Sequence, residues 1–370
     1  MLDPSFWKGR RVLLTGHTGF KGSWLLLWLQ ELGAQVWAYA LEPEPEPNLF
    51  RQLAQARPAG EVWQHQIGDL ANLEALKALV HRSQPEVVLH LAAQPLVRRS
   101  YEDPLGTWAT NVMGSLHLLE ALKPLSHPCV VVMVTTDKVY ENREWVYGYR
   151  EPDRLGGHDP YSASKAGAEI AIASWRASFC GSASHQTPHL RIATARAGNV
   201  IGGGDWAADR IVPDAMRSLA RGEPIPVRNP AATRPWQHVI EPLAGYLRLA
   251  EELAQAVSPP CEAFNFGPAL ASNRPVADLV ATILRHWPGS WQDQSDPTAP
   301  HEANLLHLQI DKAHHRLEWQ PRWDYEITIA RTVAWYRAHL NGTPALGCCL
   351  ADLNAYCKFQ SPAACTLTTP

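Results

Sequence analysis

The run RVLLTGHTGFKGSW at residues 11–24 sets apolar residues directly in front of three glycines, Gly16, Gly19 and Gly22, with a helix-like stretch from Trp24 to Leu32 behind them. This order reads as strand, glycine turn, helix. Such a turn presents backbone N–H groups and a helix N-terminus to an anion, so side chains have to be absent where backbone meets ligand and where helix meets strand. The spacing is G-x-x-G-x-x-G, and a glycine pattern alone is a weak sign. Its place at the end of a first strand makes it the signature of dinucleotide binding; a purely structural turn is the alternative.

The 370 residues are 46% hydrophobic and 19% charged, enough to bury a sizeable core. A net charge of −3 without lysine or arginine clusters argues against nucleic acid as a partner. No apolar run approaches the roughly 18 residues of a membrane span, and MLDPSFWKGR lacks the order of a signal peptide. A cytoplasmic protein is expected. The seven cysteines lack C-x-x-C spacing and read as free thiols, and no metal site is expected, although four of them fall in the last 23 residues.

Strand-like and helix-like segments alternate through about residue 200. The segment GAQVWAYAL, the apolar run EVVLHLAA and CVVVMVTTD read as strands, and 71–82 and 107–122 as helices. This predicts an α/β fold, a Rossmann-type doubly wound parallel sheet over residues 1–200. Beyond Gly202 loops rich in glycine and proline predict a smaller, irregular substrate domain over 201–341, with a segment near 236–260 returning to the first domain. Residues 326–340 read as a helix and 342–370 as a poorly specified tail.

In DPYSASKAGAEIAIASW, Pro160 stands at a helix start, and Tyr161 and Lys165, four apart, share a helix face. A phenol of pKa about 10 becomes a usable base if nearby cations lower it by ~3 units, worth ~4 kcal/mol. An amphipathic helix alone also produces such a pair. Thr135, Thr136, Asp137 and Lys138 leave the carboxyl edge of a strand, where open α/β sheets bind ligands. The threonine hydroxyl can bond a sugar oxygen, and a carboxyl of raised pKa can protonate a leaving hydroxide; a capped strand-end turn is the alternative.

With these residues in view, the chain resembles the extended short-chain dehydrogenase/reductase family, and more narrowly the nucleotide-sugar 4,6-dehydratases of deoxysugar biosynthesis. The segments carrying the resemblance are FWKGRRVLLTGHTGFKGSWLLLWL, LHLAAQPLVRRSY, TNVMGS, TTDKVYENREWVYGYRE, DPYSASK, RAGNVIGGGDWAADRIVPD and RPWQHVIEPL, with weaker agreement in FNFGP and HEANLLHL. GHTGFKGSW and RAGNVIGGGDW point to the branch acting on CDP-linked sugars. The resemblance implies a redox-neutral elimination. Tyr161 takes the 4-hydroxyl proton as hydride passes from carbon 4 to NAD, water is lost across carbons 5 and 6, and the hydride returns to carbon 6. Thr136 shares the 4-hydroxyl contact, Asp137 protonates the leaving hydroxyl, and Lys165 holds the nicotinamide ribose. The dTDP-glucose enzymes carry Thr-Asp-Glu, the glutamate removing the carbon 5 proton. Here Lys138 stands in that place, as a base of lowered pKa or as an electrostatic support for the enolate.

The resemblance further implies cofactor contacts from Gly16, Thr18, Gly19, Phe20, Lys21, Gly22, Asp69, Leu70, Ala92, Gln94 and Thr135, besides Tyr161 and Lys165. Asp69 would accept from the adenine amino group; as a sequence feature it also reads as the N-cap of helix 71–82, and both uses are expected. The acid that favours NAD over NADP comes late, at Glu42, and His17 and Lys21 lie near the turn; the resemblance favours NAD. Implied substrate contacts are Gln94, Arg98, Asn199, Asp205, Trp206, Arg210, Arg228, Arg234 and His301, with Arg234 as a bidentate phosphate clamp. Glycines 202–204 suit a mobile lid or a close backbone approach to phosphate. The expected partner is a nucleotide sugar and the expected assembly a homodimer or dimer of dimers. A nucleotide-sugar 4-epimerase is the competing enzyme, and a silent NAD-binding regulator the competing non-enzyme.

Overall fold

The computed structural model describes residues 2–60, 63–180, 187–295 and 305–358. Seven strands form its central sheet: β1 (Arg11–Thr15), β2 (Gln35–Ala40), β3 (Trp63–Ile67), β4 (Val87–His90), β5 (Cys129–Val134), β6 (Leu190–Ala197) and β7 (Ala263–Phe266). Their order is β7-β6-β5-β4-β1-β2-β3 and every pairing is parallel. The order reverses at the β1–β4 pair, so a crevice opens outside the carboxyl ends of those two strands. β4 is buried along its whole length and β5 at all but its last residue, as a sheet covered on both faces requires.

One hydrophobic cluster lies on each face. The first joins α1 (Phe20–Glu31), α6 (Ile240–Gln255) and α7 (Tyr325–Leu340) to the sheet. The second is built from α2 (Leu73–Ser83), α3 (Gly114–Leu122) and α4 (Pro160–Phe179). α6 packs on β5 and β6, which returns the chain after residue 236 to the central sheet. α5 (Ile211–Ala220) and three two-stranded sheets make the smaller lobe.

Three local expectations differ from what is found. Helix 107–122 is interrupted: Pro104–Trp108 is followed by a widened turn over Ala109–Met113 before α3 begins. The cap of α2 is Asn72, whose Oδ1 accepts from the Ala75 amide at 3.0 Å. Asp69 instead closes its own turn on the Ala71 amide, at 2.9 Å. The expected tail contains α8 (Ala345–Lys358), packed into the main core through Cys348, Cys349, Leu353 and Tyr356. Its docking is partly polar. The Tyr356 hydroxyl donates to buried Glu241 at 2.8 Å, and Arg331 faces buried Asp352 at 3.5 Å. The six cysteines within the described residues are free thiols.

Burial pushes both carboxyls up to about 7, with Arg331 opposing the rise at Asp352 and the Trp323 amide and Tyr356 opposing it at Glu241. The folded state therefore holds protons that the unfolded chain releases near pH 4, and stability is lost as pH rises from there to about 7, at about 1.4 kcal/mol per pH unit and group. Asp352→Asn removes one such group. Melting curves are expected to show the variant a few degrees more stable than the parent at pH 8 and indistinguishable from it near pH 4.

Candidate active site

The crevice at the β1–β4 switch is closed by backbone. A side chain on Gly16, at φ +79°, would place its Cβ 2.6 Å from the Ala92 amide nitrogen, and one on Gly22 would overlap the Gly16 carbonyl. These two glycines let β1, α1 and the β4 end meet. Gly19 differs, because its φ is an ordinary −84° and a Cβ there would find nothing nearer than 3.6 Å. The protein's own packing gives no reason for glycine at 19, whereas a ligand against the backbone does. Gly19 is also the N-cap of α1 and has no side-chain cap, so the first amides of that helix point outward into the crevice. This cradle fits a pyrophosphate. Phe20 and Lys21 start α1, Thr18 donates to the Leu41 carbonyl at 3.0 Å, and Leu70 is buried beside exposed Asp69 at the β3 end. Neither cation near the turn is offered to a 2′-phosphate. Burial lowers His17 to about 3, leaving it neutral against Phe50 and His65. Lys21 is lowered by burial to about 8 and faces Asp137 and Arg210.

Across the crevice, α4 begins with Asp159 capping the Ser162 amide at 2.9 Å and Pro160 in the first turn. Its inward face carries Tyr161, Lys165, Glu169 and Ile172, at helical spacing. β5 ends at Val134, and Thr135, Thr136 and Asp137 follow, all buried. Thr136 donates to the Asp137 carboxylate at 3.0 Å and also meets the Tyr161 hydroxyl. The structure therefore joins Thr136, Asp137 and Tyr161 directly, with Lys138, Lys21 and Arg234 acting electrostatically on Asp137.

Burial raises the Asp137 carboxyl above its usual range, against the pull of those cations and of Thr136. It is thus suited to carry a proton. Burial likewise raises Tyr161 to about 12, opposed by the Thr136 hydrogen bond and by Arg210. In the protein alone burial outweighs the cations near the phenol, and the Lys165 ammonium donates to the Val134 carbonyl at 3.3 Å. Lys165 itself is lowered to about 8, by burial and then by Lys21.

The implied substrate residues separate into groups. Arg210 acts electrostatically on Tyr161; buried Asp205 holds it at 2.9 Å, so Asp205 orients Arg210. Arg98 and Arg228 lie on Asp209, at 3.4 and 2.6 Å, at the rim. Asn199 is exposed just after β6, and Arg234 donates to the Thr233 carbonyl. His301 lies outside the described residues. The Gln94 amide bonds Thr107 and both backbone groups of Leu96 and so shapes its loop. Partly buried Trp206 meets Tyr336 edge-on at 5.2 Å. Glycines 202–204 are buried too, and the Gly203 carbonyl accepts from Trp24 at 3.0 Å, so they form a packed support and not a lid.

Sequence reasoning passed over three buried polar residues. His90 binds Thr15 at 2.7 Å and Ser115 at 3.2 Å, fastening β4 to β1. Asn111, in the widened turn, bonds the Gln94 backbone in both directions and the Ser164 hydroxyl at 2.9 Å. Glu169 continues the Tyr161–Lys165 spacing by one more turn, the one signal that could have found it. Beside the Arg234 strand a cavity of about 240 Å³ is bounded by Pro235, Leu270, Asn273 and His307.

The sequence profile of the NAD dependent epimerase/dehydratase family matches residues 12–267. The chain belongs to this family. It is 44% identical over 358 residues to the CDP-glucose 4,6-dehydratase of Salmonella typhimurium, covering 96% of this chain and 98% of that one. It is 30% identical to a dTDP-glucose 4,6-dehydratase of Streptomyces antibioticus over 88% of this chain and 92% of the other. The fold is shared with the dTDP-glucose 4,6-dehydratase of Streptomyces venezuelae, solved with NAD and TYD bound, at a TM-score of 0.74 and 23% identity over 91% of this chain and 99% of that one. The cradle at Gly19 fits the pyrophosphate of the NAD that this family uses. Gly19→Ala is expected to fold with an unchanged melting temperature and to bind NAD about tenfold more weakly in a fluorescence titration, because only the ligand meets the added methyl group.

Proposed function

We propose that this chain converts CDP-glucose to CDP-4-keto-6-deoxyglucose. The observation that carries the proposal is a protonatable carboxyl, Asp137, buried within one threonine of the Tyr161 hydroxyl. An epimerase has no hydroxide to expel and no use for such an acid; the 44% identity to a named CDP-glucose enzyme supports the same reading. NAD supplies the hydride acceptor for carbon 4 and the donor for carbon 6. Tyr161 removes the 4-hydroxyl proton with Thr136 holding that oxygen; the positive nicotinamide ring and Lys165 would offset the burial that raises its phenol. The carbon 4 ketone acidifies the hydrogen at carbon 5, which Lys138 removes as Asp137 protonates the departing 6-hydroxyl to water; once the hydride has returned to carbon 6, Lys138 gives the proton back to carbon 5. Substrate phosphates would meet Arg234, with Arg98 and Arg228 at the rim, and the cavity beside Asn273 would receive part of the nucleotide. In a cytoplasmic homodimer, the second copy would cover Leu105, Trp108, Met113 and Ile170, which are 81, 41, 48 and 60% exposed on adjoining helices.

Incubation with NAD and each of CDP-, dTDP-, UDP- and GDP-glucose is expected to yield, by mass spectrometry, loss of one water from the CDP sugar alone. An unchanged mass with inversion at carbon 4 would establish the epimerase instead. In heavy water, Lys138→Met is expected to block both dehydration and deuterium entry at carbon 5; persisting exchange at a reduced rate would leave Lys138 as an electrostatic support. Sedimentation at micromolar concentration is expected to show a dimer, and Ile170→Glu to shift it to monomer.

A further inference from the structure

One helical turn below Lys165, the Glu169 side chain is 3% exposed and all its hydrogen-bonding capacity is directed inward. Thr135 donates to Oε1 at 2.5 Å; Thr194 and Arg196 donate to Oε2 at 2.8 and 2.9 Å. The first donor is the residue between β5 and Thr136. Arg196, 5% exposed, passes the network outward to the Tyr140 hydroxyl at 2.8 Å, and Tyr140 donates to Asn265 at 2.7 Å. Asn265 in turn bonds the backbone of Tyr149 and of Gln309, at 2.8 and 3.1 Å, at the edge of the smaller lobe.

We propose that Glu169 is a positioning residue of the dehydratase site: it anchors the Thr135–Thr136 strand end to α4 and sets a buried negative charge one helical turn from Lys165. The proposal deepens the dehydratase reading and rests on it for its kinetic arm only. A buried carboxylate used only to hold strands together could sit anywhere along β5 and β6. This one lies on the same helix face as Tyr161 and Lys165, and on the same hydroxyl row as the residue that touches the phenol.

The charges around the pair set the direction of the effect. Lys165 is faced by Lys21 from α1, by His90 from β4 and by the Val134 carbonyl from β5; Glu169 opposes burial and Lys21 there. His90 is neutral, lowered by burial to about 3. Glu169 is faced by Arg196 from β6 and by Arg176 from its own helix, and these with its hydroxyl donors hold the carboxyl below its usual range despite burial. Glu169 therefore stays ionised while Lys165 titrates near 8. Removing the carboxylate leaves Lys165 with Lys21 and burial, and its proton is lost at lower pH.

The test follows NAD affinity by tryptophan fluorescence across pH, with melting temperatures in parallel, and then the kinetics on CDP-glucose. Wild-type affinity is expected to decline as pH rises through about 8. In Glu169→Gln the midpoint of that decline is expected about one pH unit lower. Glu169→Asp keeps the charge and withdraws it from Thr135: its midpoint should match wild type, while kcat falls about ten- to hundredfold and KM changes less than about threefold. A Gln variant with the wild-type midpoint, or an Asp variant with the wild-type kcat, overturns the proposal. Should the Gln variant not fold, the Asp variant decides. If the wild-type protein binds NAD yet dehydrates no sugar, the dehydratase reading fails while the affinity midpoints still judge Glu169.

Discussion

Charges removed from water at the carboxyl end of β5 have to be balanced against one another, and much of the site is arranged around that requirement. Asp137, Tyr161, Lys21, Lys165 and Glu169 lie within one crevice edge with little solvent to screen them. Burial pushes each acid up and each lysine down, and only at Glu169 do the partners outweigh it. Asp137 is the clearest case. Three cations act on it and burial still prevails, so the group able to donate a proton to a leaving oxygen is set by position and not by residue type.

The scaffold that imposes this burial is built from close backbone approaches. The β1–β4 contact at Gly16 and Ala92 brings the cofactor cradle against the end of the strand next to β5, and Gly22 draws α1 onto it. Lys21 then projects from the first turn of α1 toward Asp137. One glycine turn thus does two things: it leaves a backbone cradle that fits a pyrophosphate and brings Lys21 toward Asp137. Opposite, α4 sets Tyr161, Lys165 and Glu169 on one face, so a rotation of that helix would move all three together.

Sequence alone was sufficient where chemistry and local pattern coincide. The glycine turn, the TTDK strand end and the Tyr161–Lys165 spacing each combine a local geometric need with a functional one, and the parallel sheet follows from strand–helix alternation. What stayed hidden depends on tertiary partners. That Gln94 is tied to Thr107 and Leu96 in its own loop has no local pattern to announce it. Glycines 202–204 look like a lid because glycine is common in mobile loops; here Trp24 and Trp335 press on them. α8 looked like a tail because its buried side includes Cys348, Cys349 and Asp352, which weaken an apolar stripe. Asp352 makes sense inside the core only once Arg331 stands beside it.

Three of the buried carboxyls, Glu169, Glu241 and Asp352, show how far partners decide the outcome of similar burial. Glu169 receives a guanidinium and two hydroxyls and remains ionised. Glu241 receives two backbone amides and a phenol, and Asp352 an arginine at 3.5 Å with Oδ2 unpartnered among the described residues; both rise to about 7. Neutral donors satisfy lone pairs without repaying the loss of hydration of a full charge, whereas a close guanidinium supplies both. An ionised carboxylate deep in this fold therefore marks a place where a counter-charge was built in beside it. Glu169 and Arg196 form such a place, and the helix face above them is the one that carries Lys165 and Tyr161.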